Sequence, residues 1–407
     1  MKIQLAVLFG GKSVEHEISI ISAIQAIHHL DREKYEVIPV YMTKSADFYT
    51  GADVDKIECY RDVSALLERS RRVIFVKDGD RVYLTDHPHD KRFRREKKEI
   101  DVVFPVVHGT NVEDGTLQGY LKTLGVPFVG CDVTASAIGM DKHVMKAVLR
   151  DCGLPVLDCK VYGKTDYLTD REQILADVRG AFSYPVIVKP VNLGSSIGIS
   201  KANDDNELAD AIDLAFSFAN KVLIEHAITA LREINCAVIG DGDEAIASEC
   251  EEPLNATTIL SYEDKYLGNA SSKGSKGGAK GSGSQGMASL SRQIPADISK
   301  DMREEVRSLA VRTFQALGCN GVSRVDLMLD GDENKIYVNE INTIPGSLSF
   351  YLWEPIGIPY GKLLDRMIQL ALKRVRDEKT VTYAFDTSVL ANCTGESLGG
   401  AKGSKLK

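Results

Sequence analysis

The stretch 324–346 constrains the fold of this 407-residue chain more than any other. It reads as two strands joined by a polar turn at 330–334. Successive side chains of a strand point to opposite faces, so Glu340 and Asn342 share one face. Pairing the strands can place both beside Asp326. Carboxylate and amide oxygens are ligands that suit Mg²⁺, so the hairpin predicts a metal site.

Two flanking features add to this prediction. Arg324 shares a strand face with Asp326, and a guanidinium there suits the charge of a transferring phosphoryl group. After the second strand, Pro345 and Gly346 turn the chain and expose backbone N–H groups. A surface hairpin with charged residues facing water is the alternative. An ordinary exposed strand has no need of Asn342 followed by Pro-Gly, so we favour the site.

Composition restricts the class of protein. The apolar fraction of 43% and the charged fraction of 27% are typical of a soluble globular protein, and the length predicts two or three domains. No run of 18 apolar residues predicts a membrane span. The net charge of −8 argues against a general nucleic-acid binder. The eight cysteines show no Cys-x-x-Cys spacing, which indicates reduced thiols in a cytoplasmic protein.

The N-terminal region predicts a parallel α/β sheet, with polar residues where strands end. Ligands of such sheets bind at the carboxyl ends of the strands. Glu15 follows the first strand and could hold a substrate ammonium or complement a helix dipole. His108 follows a later strand, where a structural role is the alternative. The expected strands are 5–9, 35–42 and 102–107, and a helix is expected at 19–30.

The central region suggests a phosphate site. Lys189 ends a predicted strand and is followed by a Gly/Ser loop at 190–198, which is suited to cradling phosphates. The loop lacks the Gly-Lys-Ser/Thr order of a P-loop, and a flexible turn is the alternative. Glu225 and Glu233 lie on two further strands. They could reach the adenine and ribose of a nucleotide, although spacing alone does not show this.

The remaining segments are a lid, two helices and a tail. The run 271–286 consists almost entirely of Gly, Ser and Lys and predicts a mobile loop. Amphipathic helices are expected at 295–317 and 360–376, and the tail from 387 resembles the run in composition.

Together, these motifs resemble those of the D-alanine–D-alanine ligases, members of the ATP-grasp superfamily, over about residues 1–376. The matching residues are Gly10-Gly11 with Glu15-His16-Glu17, His108-Gly109 with Glu113 to Gly119, Met140-Asp141-Lys142, Lys189-Pro190 with Gly194-Ser195-Ser196, Lys265-Tyr266, and Arg324-x-Asp326 with Glu340-x-Asn342-x-x-Pro345-Gly346.

The resemblance implies an α/β ATP-grasp fold with a Rossmann-like N-terminal domain. The expected divisions are 1–135, the central subdomain 136–225, the C-terminal subdomain 226–380 with lid loop 261–292, and the tail 381–407. The implied activity is ATP-driven joining of two D-alanines through an acyl phosphate, for peptidoglycan synthesis. A cytoplasmic homodimer is also implied.

The resemblance also implies residue roles. Two Mg²⁺ ions, replaceable by Mn²⁺, would lie on Asp326, Glu340 and Asn342. ATP would contact Lys142, Lys189, Ser196, Glu225, Ile228, Glu233 and Lys265. Glu15, Ser195 and Tyr266 would form a network around the first substrate. Arg324 and the N–H of Gly346 would stabilise the tetrahedral oxyanion. His108 and Ser349 would bind the substrate carboxylates.

Two departures from the family pattern concern Val112, where the family has Gly, and the segment 347–355. The second leaves the acceptor open, with D-serine or another amino acid as the alternative to D-alanine. Tyr266 matches the residue of the family's dipeptide-forming members, which argues against D-lactate as the acceptor. A non-catalytic nucleotide-binding regulator is the third alternative. Retention of the metal ligands, Arg324 and three lysines argues against it.

Overall fold

The computed structural model describes residues 2–88, 97–254, 292–384 and 387. Three sheets form the framework of this part of the chain. The predicted residues Lys265 and Tyr266, nearly all of the lid loop 261–292 and most of the tail lie outside the described residues. No helix within the described ranges is both long and apolar enough to cross a membrane.

The first sheet has seven strands in the order β6-β5-β4-β3-β2-β1-β7. Its strands β2, β1 and β7 are parallel, as expected for a Rossmann-like unit, and β3 to β6 extend it antiparallel. The strands are β1 Ile3–Gly10, β2 Tyr35–Met42, β3 Phe48–Thr50, β4 Arg71–Asp78, β5 Arg81–Asp86, β6 Lys97–Ile100 and β7 Val102–Val106.

The second and third sheets are antiparallel. The second has the order β10-β9-β11-β8, and the third has the order β14-β13-β12-β15-β16. Their strands are β8 Cys159–Gly163, β9 Val186–Pro190, β10 Ser200–Ala202, β11 Lys221–His226, β12 Leu231–Gly240, β13 Ala245–Pro253, β14 Arg292–Gln293, β15 Gly321–Asp330 and β16 Lys335–Asn342.

Helices cover the sheets and bury three clusters of apolar side chains. The α-helices are α1 His16–His29, α2 Val63–Arg69, α3 Thr116–Leu124, α4 Val133–Met140, α5 Lys142–Asp151, α6 Lys164–Thr169, α7 Arg171–Ala181, α8 Asp205–Ala215, α9 Lys300–Ala316 and α10 Tyr360–Glu378. Short 3-10 helices are Ile57–Arg61, Gly346–Leu352 and Glu354–Ile356.

Two helix starts differ from the sequence-based expectation. Helix α1 begins three residues earlier, because the ring Nδ1 of His16 lies 2.7 Å from the carbonyl oxygen of Gly11 and holds the entry turn. Helix α9 begins at Lys300 rather than at 295. The Ser299 hydroxyl accepts from the N–H of Met302 and caps the helix there.

Helix α10 connects the end of the described chain to the first sheet. The hydroxyl of Tyr35 lies 2.5 Å from Asp365, and Lys34 pairs with the same carboxylate. Trp353, just before this helix, is fully buried in the first cluster. We propose the domain divisions 135/136, 225/226 and 380/381 from the sequence; the first of them falls inside α4 and the second inside β11.

Candidate active site

A cavity of about 890 Å³ lies between the second and third sheets, and we call it the site cavity. Its size is within the range of small-molecule sites. It brings together residues to which the family resemblance assigns contacts with ATP and metal. Those on its wall are Lys142, Lys189, Ser196, Glu225, Ile228, Glu233, Asp326 and Glu340.

Strand pairing builds the oxygen-rich edge of the site cavity. In the register of β15 and β16, Asp326 lies opposite Glu340 and Arg324 opposite Asn342. Arg324 binds both oxygens of Asp326 at 2.6 and 2.7 Å. The Asn342 amide donates to Asp326 at 3.1 Å. The hairpin predicted from the sequence is therefore present, with its four polar side chains on one face.

Cations neutralise both carboxylates of this edge. Burial lowers the pKa of Arg324, but the charge of Asp326 outweighs burial and raises it well above its usual range. Lys142 lies 3.0 Å from Glu340. The Asp141 side chain caps α5 and so fixes Lys142 at the first helical position. Two carboxylates and an amide fit a hard cation that also uses phosphate and water ligands.

The described residues contain no cluster of three or more His, Cys, Asp or Glu side chains that could hold a metal ion. A metal at this edge therefore depends on the Asn342 amide and on ligands from a bound nucleotide. Asn342 would have to turn its amide oxygen towards the cation, because its Nδ2 now donates to Asp326.

A β-bulge adds Asn339, which sequence reasoning missed. The register between β15 and β16 shifts between Asp326 and Leu327, so that Asn339 has no partner in the ladder. Its side chain lines the site cavity beside Glu340, although neighbours in a regular strand face opposite ways. The Asn339 amide oxygen lies 3.0 Å from Nζ of Lys189. No sequence signal marks the bulge.

Glu225 is buried at the back of the site cavity and contacts two lysines. Lys189 donates to one of its oxygens, and Lys146 to the other. Burial would raise the pKa of Glu225, but the two ammonium groups outweigh burial and lower it to about 2. Lys146 was also missed. Its signal is the spacing of four from Lys142, which places both lysines on one helix face.

Glu15 meets the glycine-rich loop of the second sheet. The hydroxyl of Ser195 donates to a Glu15 oxygen, which joins two of the three residues of the predicted network. The Glu15 carboxylate lies in a narrow space between two glycines. A Cβ on Gly109 would lie 2.8 Å from the carboxylate, and a Cβ on Gly194 would lie 3.3 Å from it. Glycine at both positions therefore leaves room for the carboxylate.

His108 is buried between the first sheet and the loop before Gly346. Its Nδ1–H donates to the carbonyl oxygen of Ile344 at 2.7 Å, and Ser22 Oγ lies 2.9 Å from its Nε2. The N–H of Ser347 donates to the same Oγ at 2.9 Å. Burial lowers the pKa of His108 to about 4, which agrees with a neutral ring.

Glu113 makes a second link between the same two segments. Its oxygens accept from the N–H of Gly109 at 2.9 Å and of Ile344 at 2.8 Å, and Thr343 Oγ lies 3.3 Å away. Burial raises the pKa of Glu113 to about 8. Together with His108, it fixes the chain that leads to Gly346.

The turn after Pro345 has an unusual backbone. Ser347, Leu348 and Ser349 have φ values of 51°, 52° and 49°. Left-handed conformations cost about 1–2 kcal/mol per residue, so the packing of the turn must offset this strain. Ser349 is fully buried, and its Oγ has no hydrogen-bond partner within the described part of the chain.

Val112, the other departure from the family pattern, packs against the glycine turn after β1. A Cβ on Gly11 would lie 2.5 Å from a Val112 methyl group. The valine is buried and fills the space above Gly11. It therefore contributes packing at this position.

Comparisons with known proteins match nearly the whole chain. Residues 4–131 match the family model described as D-ala D-ala ligase N-terminus, and residues 148–369 match the model for the C-terminus. A D-alanine–D-alanine ligase of Caldicellulosiruptor bescii is 42% identical, covering 94% of this chain and 99% of that protein.

Solved structures agree in fold. The D-alanine–D-alanine ligase of Coxiella burnetii has a TM-score of 0.76 at 29% identity, covering 93% of this chain and 96% of the other. The VanG D-Ala:D-Ser ligase of Enterococcus faecalis has a TM-score of 0.72 at 30% identity, covering 91% of this chain and 100% of the other.

Proposed function

This chain belongs to the family of D-alanine–D-alanine ligases, and we propose that it uses ATP to join two D-alanines into D-alanyl-D-alanine for peptidoglycan synthesis. One observation carries the proposal. A single cavity is lined by most of the residues expected to bind nucleotide and metal, including Asp326 and Glu340, while Glu15 and Ser195 meet as expected of the first-substrate site.

The site cavity would hold ATP between the two antiparallel sheets. Glu225, Ile228 and Glu233 would face the adenosine part. The ammonium groups of Lys142 and Lys189 would face the phosphates, with Ser196 on the glycine-rich loop and Lys265 beyond the described residues. Two Mg²⁺ ions held by Asp326, Glu340 and Asn342, with Mn²⁺ as a substitute, would neutralise phosphate charge.

Glu15 would bind the ammonium of the first D-alanine by charge, and Ser195 would hold the Glu15 carboxylate in place. Tyr266 would complete this network from outside the described residues. His108 uses both ring nitrogens on protein partners, so it would act on the first substrate's carboxylate through the 344–347 backbone that it holds.

In the first step, a carboxylate oxygen of that D-alanine attacks the γ-phosphorus of ATP, and ADP leaves. The amine of the second D-alanine then attacks the acyl carbon. The oxyanion formed would be stabilised by Arg324 and by the N–H of Gly346. That N–H begins a 3-10 turn and so has no partner within it. Phosphate leaves, and the peptide bond remains.

The acceptor carboxylate would be bound by Ser349, whose buried hydroxyl has no other partner among the described residues. We further propose a homodimer in the cytoplasm, supported by family membership and by the use of ATP. Sedimentation of the purified protein at micromolar concentration would test the dimer.

The test of function is phosphate release from ATP with D-alanine alone, and then with D-serine or D-lactate added. Mass spectrometry would identify the product. D-alanyl-D-alanine as the main product supports the proposal. A mixed product formed in preference would assign another acceptor. ATP hydrolysis that does not depend on any amino acid would contradict the proposal.

A further inference from the structure

Lys146 is a buried lysine that none of the assigned roles uses. It lies on α5, with 2% of its side chain exposed, and it is absent from the wall of the site cavity. Its Nζ donates to Glu225 and, at 3.2 Å, to the carbonyl oxygen of Leu157. A charged group is costly to bury, so its position behind the cavity calls for a function.

The charges around Glu225 do not balance. Lys146 and Lys189 contact different oxygens of the one carboxylate, of which 1% is exposed. Two cations and one anion leave one positive charge in excess. Of the two lysines, only Lys189 lines the site cavity, beside Glu225, and it also contacts Asn339 there.

We propose that Lys146 is a positioning residue: it neutralises Glu225 from behind, so that the charge of Lys189 remains available to the nucleotide phosphates. The inference rests on the proposed function only in that the site cavity binds a nucleotide. Without Lys146, Glu225 and Lys189 form a neutral pair, and the excess positive charge is lost.

This role differs from simple packing in a measurable way. Loss of charge weakens the binding of phosphate-bearing ligands much more than the binding of an uncharged nucleoside, because Glu225 stays paired with Lys189. Loss of packing at the back of the cavity would weaken both. Lys146→Met keeps the length of the side chain without its charge, and Lys146→Gln serves the same test should the methionine variant not fold. Circular dichroism and thermal melting identify the folded variant.

Lys160→Met is a matched control. Lys160 lies on β8 opposite Ile224, next to Glu225, and it pairs with Asp177 away from the site cavity. Steady-state assays would give the KM for ATP and for D-alanine, and competition against ATP would give the inhibition constants of ADP and adenosine.

For Lys146→Met we expect the KM for ATP and the inhibition constant of ADP to rise about tenfold, equivalent to the loss of one charged contact. The constant for adenosine, the KM for D-alanine and kcat should change less than threefold, and the control should match the parent. Equal weakening of ADP and adenosine, or no change for ADP, would overturn the proposal. D-alanine-dependent turnover of the parent, measured in parallel, tests the proposed function separately.

Discussion

The Nδ1 of His108 lies 2.7 Å from the carbonyl oxygen of Ile344, so a strand end of the first sheet holds the chain that leads to Gly346. The two residues are 236 positions apart in sequence. Burial keeps the ring neutral, and with Nδ1–H donating to Ile344 its Nε2 accepts from the hydroxyl of Ser22.

A pH dependence of stability follows. The pKa of His108 is about 4 in the folded protein, against 6.5 as the ordinary value. The unfolded chain therefore binds a proton more readily, and stability that is present above pH 6.5 is lost as the pH falls towards 4. This contribution amounts to about 3 kcal/mol at most. His108→Gln should flatten the pH dependence of urea unfolding between pH 7 and pH 4; parallel curves for variant and parent would contradict the assignment.

Asp326→Asn should lower kcat by at least about 100-fold, because the metal site loses a carboxylate and Arg324 loses its counter-charge. Phosphate release under saturating ATP measures the effect, and thermal melting checks the fold. Asp330→Asn is the control: that side chain caps the hairpin turn by accepting from the N–H of Asp332. Near-normal release by Asp326→Asn would remove Asp326 from the metal site.

Glu15→Gln should raise the KM for the first D-alanine about tenfold to a hundredfold, the usual effect of losing a charged hydrogen bond, with the KM for ATP unchanged. Glu17→Gln is a matched control two residues away, where the exposed side chain pairs with Lys44. If both variants behave alike, Glu15 does not bind the ammonium.

Much of the fold was predictable because its signals are local. The period-2 pattern and turn of the 324–346 hairpin led to the observed pairing of Asp326 with Glu340. Strand β2 has the predicted bounds. Local spacing was not enough to predict the site. The pairing of Glu15 with Ser195, which are 180 positions apart, was predicted only from the family resemblance.

What the sequence did not predict depends on tertiary packing. The bulge that turns Asn339 into the site cavity is a register shift set by both strands together. Lys146 looks like an ordinary helix lysine until the fold brings it against Glu225 at the back of the site cavity. The left-handed run that begins at Ser347 packs against a distant part of the chain, where its N–H donates to Ser22, 325 positions away.

The central claim is that ATP activates the carboxylate of one D-alanine as an acyl phosphate. D-alanine labelled with ¹⁸O in both carboxylate oxygens tests this most directly, with the released phosphate examined by mass spectrometry. Because the attacking oxygen stays on phosphorus, we predict one ¹⁸O in each phosphate released with dipeptide formation. Phosphate without ¹⁸O would mean that water attacks ATP, and would contradict the account.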